Sequence, residues 1–200
     1  MKLFLCSNFV SVGSLINDKI DNKKIALVPT AASRDGSTDY VDKTKNLLEG
    51  LGATITEIDI SKAEYPAIEA VFEEADILFF TGGNTFFLMD QLRITGTDEL
   101  VKKEVAKGKL LIGESAGAIV CAPNIKYVEQ MDEKPKDYSQ KDDAGLGLID
   151  LYVIPHYLQE PYKKATENIM VEYSDRNLYP INNEQGIMID GESTKLITKS

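Results

Sequence analysis

Two short runs in this chain, Lys24–Pro29 and Asp76–Thr81, are apolar at nearly every interior position. A third, Lys109–Ile112, runs directly into Gly113-Glu114-Ser115-Ala116-Gly117. A strand that alternates apolar and polar residues can leave one face in water. A strand apolar on both faces must be covered on both, which is the condition of a parallel sheet packed between helices. These runs constrain the fold more than any other feature of the sequence.

The intervening segments supply the helices. Asp39–Glu49 carries Val41, Leu47 and Leu48 among charges, and Gly50 is a suitable stop. In Ala67–Ala75 the residues Ile68, Val71, Phe72 and Ala75 recur at the spacing of one helix face. A helix follows Gly82-Gly83-Asn84 to about Leu92, and another spans Glu99–Lys107 before Gly108. Lys2–Ser7 and the β-branched Thr54–Asp59 read as further strands. Alternating strands and helices over the first 120 residues predict an α/β fold, a three-layer, doubly wound, mostly parallel sheet. The second half is less regular. It is read as a short strand at Tyr127-Val128, a strand at Leu151–Ile154 and a helix at Tyr162–Tyr173. Short strands are expected at Tyr179–Ile181, Gly186–Asp190 and Lys195–Thr198. No repeat or linker interrupts the chain, so one domain, 1–200, is expected.

Composition narrows the function. A net charge of −10 argues against nucleic acid and anionic membrane surfaces as partners, because both need a basic footprint. The apolar run at the N-terminus is too short for a signal peptide, and no stretch approaches a membrane span. Two cysteines, Cys6 and Cys121, make neither a disulfide scaffold nor a metal-ligand cluster. The expectation is a cytoplasmic protein with no metal and no cofactor.

In a doubly wound sheet, ligands bind beyond the carboxyl ends of the strands. Ser115 and Gly82-Gly83-Asn84 both fall there. Gly-Glu-Ser-Ala-Gly between a strand and a helix fits the G-x-S-x-G turn, whose glycines make room for a nucleophilic serine on a crowded backbone path. A serine hydroxyl needs a base, and the chain has one histidine, His156, after the strand ending at Pro155. The imidazole in turn needs an acceptor. Asp150, Glu160 and Glu184 are candidates, and the residues alone do not choose among them. For an oxyanion, the donors would be the backbone N–H of Ala116 and one from the Gly82-Gly83-Asn84 loop, with Gly83 the residue best placed. Gly82 and Asn84 are candidate substrate contacts. A plain reading of Asn84 as a helix cap is compatible with that.

Together, Gly82-Gly83-Asn84-Thr85-Phe86, Gly113-Glu114-Ser115-Ala116-Gly117-Ala118 and Pro155-His156-Tyr157 resemble the aspartyl dipeptidase (peptidase E) and cyanophycinase group, peptidase family S51. The resemblance runs from the first strand to about Gly191. It implies a class I glutamine amidotransferase-like fold and a serine peptidase using a Ser-His-Glu triad in that chain order. Glu184 then becomes the third member beside Ser115 and His156, with Asp150 as fallback. Aspartyl dipeptidases use an arginine after the histidine to recognise aspartate. Here Tyr157–Tyr173 has no arginine, only Lys163 and Lys164, and Arg176 lies beyond it. The expectation is therefore a peptidase of small peptides with open side-chain specificity. The alternatives are a non-peptide amidase or esterase on the same triad, or a non-catalytic binding module. An exposed sheet edge would let two copies pair as a homodimer.

Overall fold

A computed structural model describes residues 1–34 and 38–199 of the chain. The apolar runs form the middle of one seven-stranded sheet. Its first five strands are β1 (Lys2–Cys6), β2 (Lys24–Val28), β3 (Thr54–Glu57), β4 (Ile77–Phe80) and β5 (Leu110–Glu114). These pair in parallel in the order β3-β2-β4-β5-β1. A two-stranded parallel ribbon, β6 (Tyr152–Ile154) with β7 (Leu178–Pro180), stands apart from the main sheet. Strands β8 (Gln185–Asp190) and β9 (Ser193–Thr198) then extend the main sheet beyond β1, both antiparallel to their neighbours. The mostly parallel, α/β expectation is met, and β3 and β9 are its edges.

Successive residues of each central strand go to opposite cores, as the pleat requires. Leu3, Leu5, Ala26, Val28, Leu78, Phe80 and Leu111 pack on one face. Phe4, Cys6, Ile25, Leu27, Ile77, Phe79, Leu110 and Ile112 pack on the other. The second face is covered by α1 (Phe9–Val12), α2 (Asn17–Ile20) and α3 (Asp39–Gly50), through Phe9, Val12, Ile20 and Leu48. The first face is covered by α4 (Tyr65–Glu74), α5 (Thr85–Ile94), α6 (Thr97–Ala106), α7 (Ala116–Ile119) and α8 (Lys163–Glu172). Phe72 of α4 meets Phe80 of β4 edge-on, ring centroids 6.2 Å apart, an arrangement worth about 1 kcal/mol beyond area burial.

One local reading changes. Tyr127-Val128 is not a strand but part of a 3-10 turn, Lys126–Val128. Tyr127 is buried, and its hydroxyl donates to the Val153 carbonyl at 2.6 Å, so a tertiary contact overrides its β-propensity. The polar segment after β1 begins with α1, capped by Asn8, whose side chain accepts from Ser11 N. The small-residue stretch after β2 makes a 3-10 turn, Thr30–Arg34, and residues 35–37 lie outside the described residues. Cys6 and Cys121 are buried thiols. Among the described residues, no helix is long and apolar enough to cross a membrane.

Candidate active site

The turn after β5 is as tight as its sequence demands. Ser115 has φ 48 and ψ −108, a conformation few side chains adopt. The neighbouring glycines are there for close approach. A Cβ on Gly113 would sit 2.4 Å from the Gly117 carbonyl oxygen, and one on Gly117 would sit 2.2 Å from that of Phe80. The turn is bolted to β1 by Ser115 N–H donating to the Cys6 carbonyl at 2.9 Å.

His156 follows β6 and Pro155 with φ 56, and this turn carries its ring to the same edge of the sheet. Nε2 lies 2.9 Å from Ser115 Oγ. On the far side of the ring, Nδ1 lies 2.8 Å from Asn183 Oδ1 and 3.0 Å from Ser7 Oγ. An amide oxygen only accepts, so this network assigns the ring proton to Nδ1 and leaves the Nε2 lone pair facing the serine hydroxyl. Ser7 completes a clasp. Its hydroxyl accepts from His156 N–H at 2.8 Å and donates to Asn183 Oδ1 at 2.7 Å. Tyr162 stacks on the imidazole, with centroids 5.2 Å apart and planes at 26°. Burial holds His156 below its ordinary value of 6.5, against the opposing pull of Asn183. The base is therefore neutral at neutral pH.

The third position differs from the expectation. Glu184 is exposed, and its backbone rather than its carboxylate is engaged, accepting from Lys199 N at 2.9 Å and donating to Asn182 Oδ1 at 2.9 Å. Its neighbour Asn183 supplies the acceptor at Nδ1. The reason is local. Asn182 forms an Asx turn with Glu184 N and is itself held by Gln185 Oε1 at 3.0 Å. This turn faces Asn183 inward and Glu184 outward. Asp150 is also exposed, and what it offers is a backbone carbonyl to Asn177.

The loop after β4 lies against the nucleophile, since a Cβ on Gly82 would be 3.3 Å from Ser115 Cβ. The Gly82 carbonyl accepts from Tyr40 Oη and from Thr81 Oγ1, each at 3.1 Å. In a trans peptide the next N–H points opposite to the carbonyl. Anchoring the Gly82 oxygen therefore turns the Gly83 N–H the other way. Gly83 has φ 129, and a Cβ there would fall 2.2 Å from the Ala31 carbonyl carbon, so only glycine fits. Asn84 is committed to structure: Oδ1 caps Phe87 N at 2.8 Å and Nδ2 donates to the Glu133 carbonyl at 2.8 Å.

Ser115, His156, Gly82, Gly83 and Asn84 line one cleft of about 240 Å³. Its described lining also includes Ser7, Tyr40, Asp132 and Tyr162, which the sequence reading did not single out. Among the described residues, the lining contains two carboxylates, Glu114 and Asp132, and neither lysine nor arginine. Lys163 and Lys164 are exposed and do not line it, and Arg176 instead lies over the Tyr152 ring. Asp132 accepts from both the Thr85 N–H and its hydroxyl at the start of α5. Glu114 is buried and accepts from Phe9 N–H at 2.7 Å. Burial pushes its carboxyl up to about 7, with the Phe9 and Gly82 backbones pulling the other way.

A strained serine at a strand–helix turn, bonded to a half-buried histidine, is the arrangement used by enzymes that act through a nucleophilic serine. Comparison with known proteins agrees with that class. The chain matches peptidase family S51 over residues 5–197. It is 39% identical to an uncharacterized peptidase of Listeria monocytogenes over 201 residues, covering 98% of this chain and 97% of that protein. It is 31% identical to peptidase E of Salmonella arizonae over 179 residues, 83% of this chain and 74% of that one. The crystal structure of a candidate peptidase E protein from Listeria monocytogenes superposes with a TM-score of 0.94 at 37% identity, covering 100% of this chain and 98% of the other. A peptidase from an acI-B1 Actinobacterium shares the fold at 19% identity, with a TM-score of 0.78. The chain belongs to peptidase family S51 and is a peptidase.

Proposed function

We propose that the protein is a serine peptidase that cleaves small peptides through an acyl-enzyme on Ser115. The observation that carries this reading is the 2.9 Å contact between Ser115 Oγ and His156 Nε2 at the floor of the cleft. His156 takes the hydroxyl proton as Ser115 attacks the scissile carbonyl, and returns it to the leaving amine. The Gly83 and Ala116 N–H groups receive the oxyanion. Water then attacks the acyl carbon by the same steps in reverse roles. Asn183 takes the third position and holds the ring through Nδ1. Being neutral, it orients the base without adding a counter-charge, so the histidine keeps the low basicity that burial imposes.

The cleft also bears on the substrate. A side-chain carboxylate would enter a lining that, among the described residues, holds two carboxylates and no lysine or arginine. We infer a preference for peptides with neutral or basic residues at the acylating position over aspartyl peptides. Hydrolysis of a panel of dipeptides by wild type and Ser115→Ala tests the activity. Turnover of at least one peptide that disappears in the variant is expected. Equal turnover by both proteins, or none by wild type across the panel, would overturn the reading.

A further inference from the structure

Among the described residues, Glu114 is the one buried carboxylate in the cleft, and the proposed mechanism leaves it without a part. Its place in the sheet register explains what it can reach. Glu114 lies directly beside Cys6 in the β1–β5 pairing, one residue before the nucleophile and one residue before Ser7 on the neighbouring strand. Two successive residues therefore tie the nucleophile turn to the start of α1. Ser115 N–H donates to the Cys6 carbonyl at 2.9 Å, and Phe9 N–H donates to Glu114 Oε1 at 2.7 Å. Between those two ties hang Ser7 and Asn8. Ser7 is the residue whose hydroxyl meets the His156 backbone at 2.8 Å, Nδ1 at 3.0 Å and Asn183 Oδ1 at 2.7 Å.

We propose that Glu114 is a positioning residue for the reaction: its carboxylate grips the Phe9 amide and so fixes the Ser7–Asn8 segment that clasps His156. The inference rests on Ser115 being the nucleophile. A carboxylate accepting an N–H makes a shorter and stronger bond than a neutral carboxylic acid does. The clasp is therefore tight when Glu114 is ionised and slack when it is protonated. The carboxylate also faces the Gly82 backbone of the loop that lies against Ser115, so it touches both the α1 start and the oxyanion loop. The ionisable group that feels the Glu114 charge is the Cys6 thiol from β1, which it pushes further up, and His156, Tyr40 and Asp132 line the same cleft. The groups that favour its ionised form are the backbone N–H groups of Phe9 and Gly82. With its carboxyl held near 7, Glu114 changes state in the neutral range. Reactivity of Ser115 then depends on two ionisations, that of His156 and that of Glu114.

The test is the rate of Ser115 modification by a fluorophosphonate, measured from pH 5.5 to 8.5, which needs no knowledge of the natural substrate. In wild type the rate rises in two steps, one below 6.5 and one near 7. Glu114→Gln keeps an acceptor for Phe9 N–H but cannot ionise. It loses the upper step and reaches a plateau about tenfold below wild type, the ratio expected when a charge-assisted bond becomes a neutral one. Ser7→Ala cuts the same path at its other end and also loses the upper step, although Glu114 still titrates. That variant keeps the proposal testable if Glu114→Gln does not fold. An upper step retained in either folded variant, or a Glu114→Gln plateau equal to wild type, overturns the proposal. Absence of labelling in wild type itself overturns the reading of Ser115, and the proposal with it.

Discussion

Glu114 should make the protein less stable as pH rises through neutrality, and removing its charge should relieve that cost. Its carboxyl titrates near the ordinary 4.5 when unfolded, and burial raises it to about 7 when folded. Between those values the native state holds a proton that the unfolded chain has lost. Stability from this group is complete below about 4.5 and falls by about 1.4 kcal/mol per pH unit until it is gone above about 7. The full change is about 3 kcal/mol, of which about 2 kcal/mol falls between pH 5.5 and 8. Glu114→Gln has a stability cost of its own, from an amide N–H₂ placed in a dry site, but that cost does not depend on pH. Urea unfolding of both proteins at pH 5.5, 6.5, 7 and 8 isolates the effect. His156, lowered by burial, titrates in both proteins and cancels in the difference. The difference should move in the variant's favour by about 2 kcal/mol from pH 5.5 to 8, with most of the change complete by pH 7. A constant difference, or one that moves the other way, would refute the assignment of a protonated buried carboxyl beside the nucleophile. A residue that costs stability in the pH range where it aids reactivity is a familiar feature of active sites.

Other consequences can be checked with single substitutions. Asn183→Ala should lower kcat/KM by about 10²-fold by freeing the imidazole, whereas Glu184→Gln should leave it within about twofold, because that side chain is exposed. A larger effect at Glu184 than at Asn183 would reverse the assignment. Gly83→Ala should cost about 10²–10³ in kcat, since the new Cβ meets Ala31 backbone and swings one oxyanion donor away. In competition assays, Lys-Leu or Leu-Leu should be cleaved faster than Asp-Leu. Faster cleavage of Asp-Leu would contradict the reading of the cleft's charge.

The parallel core was legible because apolar residues on both faces leave a strand few alternatives, and β2, β4 and β5 lie where those runs lie. The elbow was legible because Gly113 and Gly117 mark a backbone path that tolerates nothing larger. The partners of His156 were harder to see. Which of two adjacent residues, Asn183 or Glu184, faces the ring is decided by an Asx turn at Asn182, and turn conformation shifts by one residue without leaving a periodic signal. The residues left Asp150, Glu160 and Glu184 open, and it was the resemblance to the family's Ser-His-Glu order that pointed to Glu184. Ser7 was visible as the residue ending a first strand at the ligand edge of the sheet, but a serine there carries no motif. Glu114 stood in plain view inside the G-x-S-x-G turn, at its variable position. Only the β1–β5 register shows that it reaches Phe9. Tyr40 could not be placed, because its role depends on a long-range contact with Gly82.

The most direct test of the central claim is the site and dependence of covalent modification. Wild type treated with a fluorophosphonate and mapped by mass spectrometry should carry one adduct, on Ser115. Ser115→Ala should carry none, and His156→Ala should react at least about 10²-fold more slowly, as expected when a nucleophile loses its general base. Modification at another residue, or labelling of Ser115 that is unchanged by His156→Ala, would contradict the account.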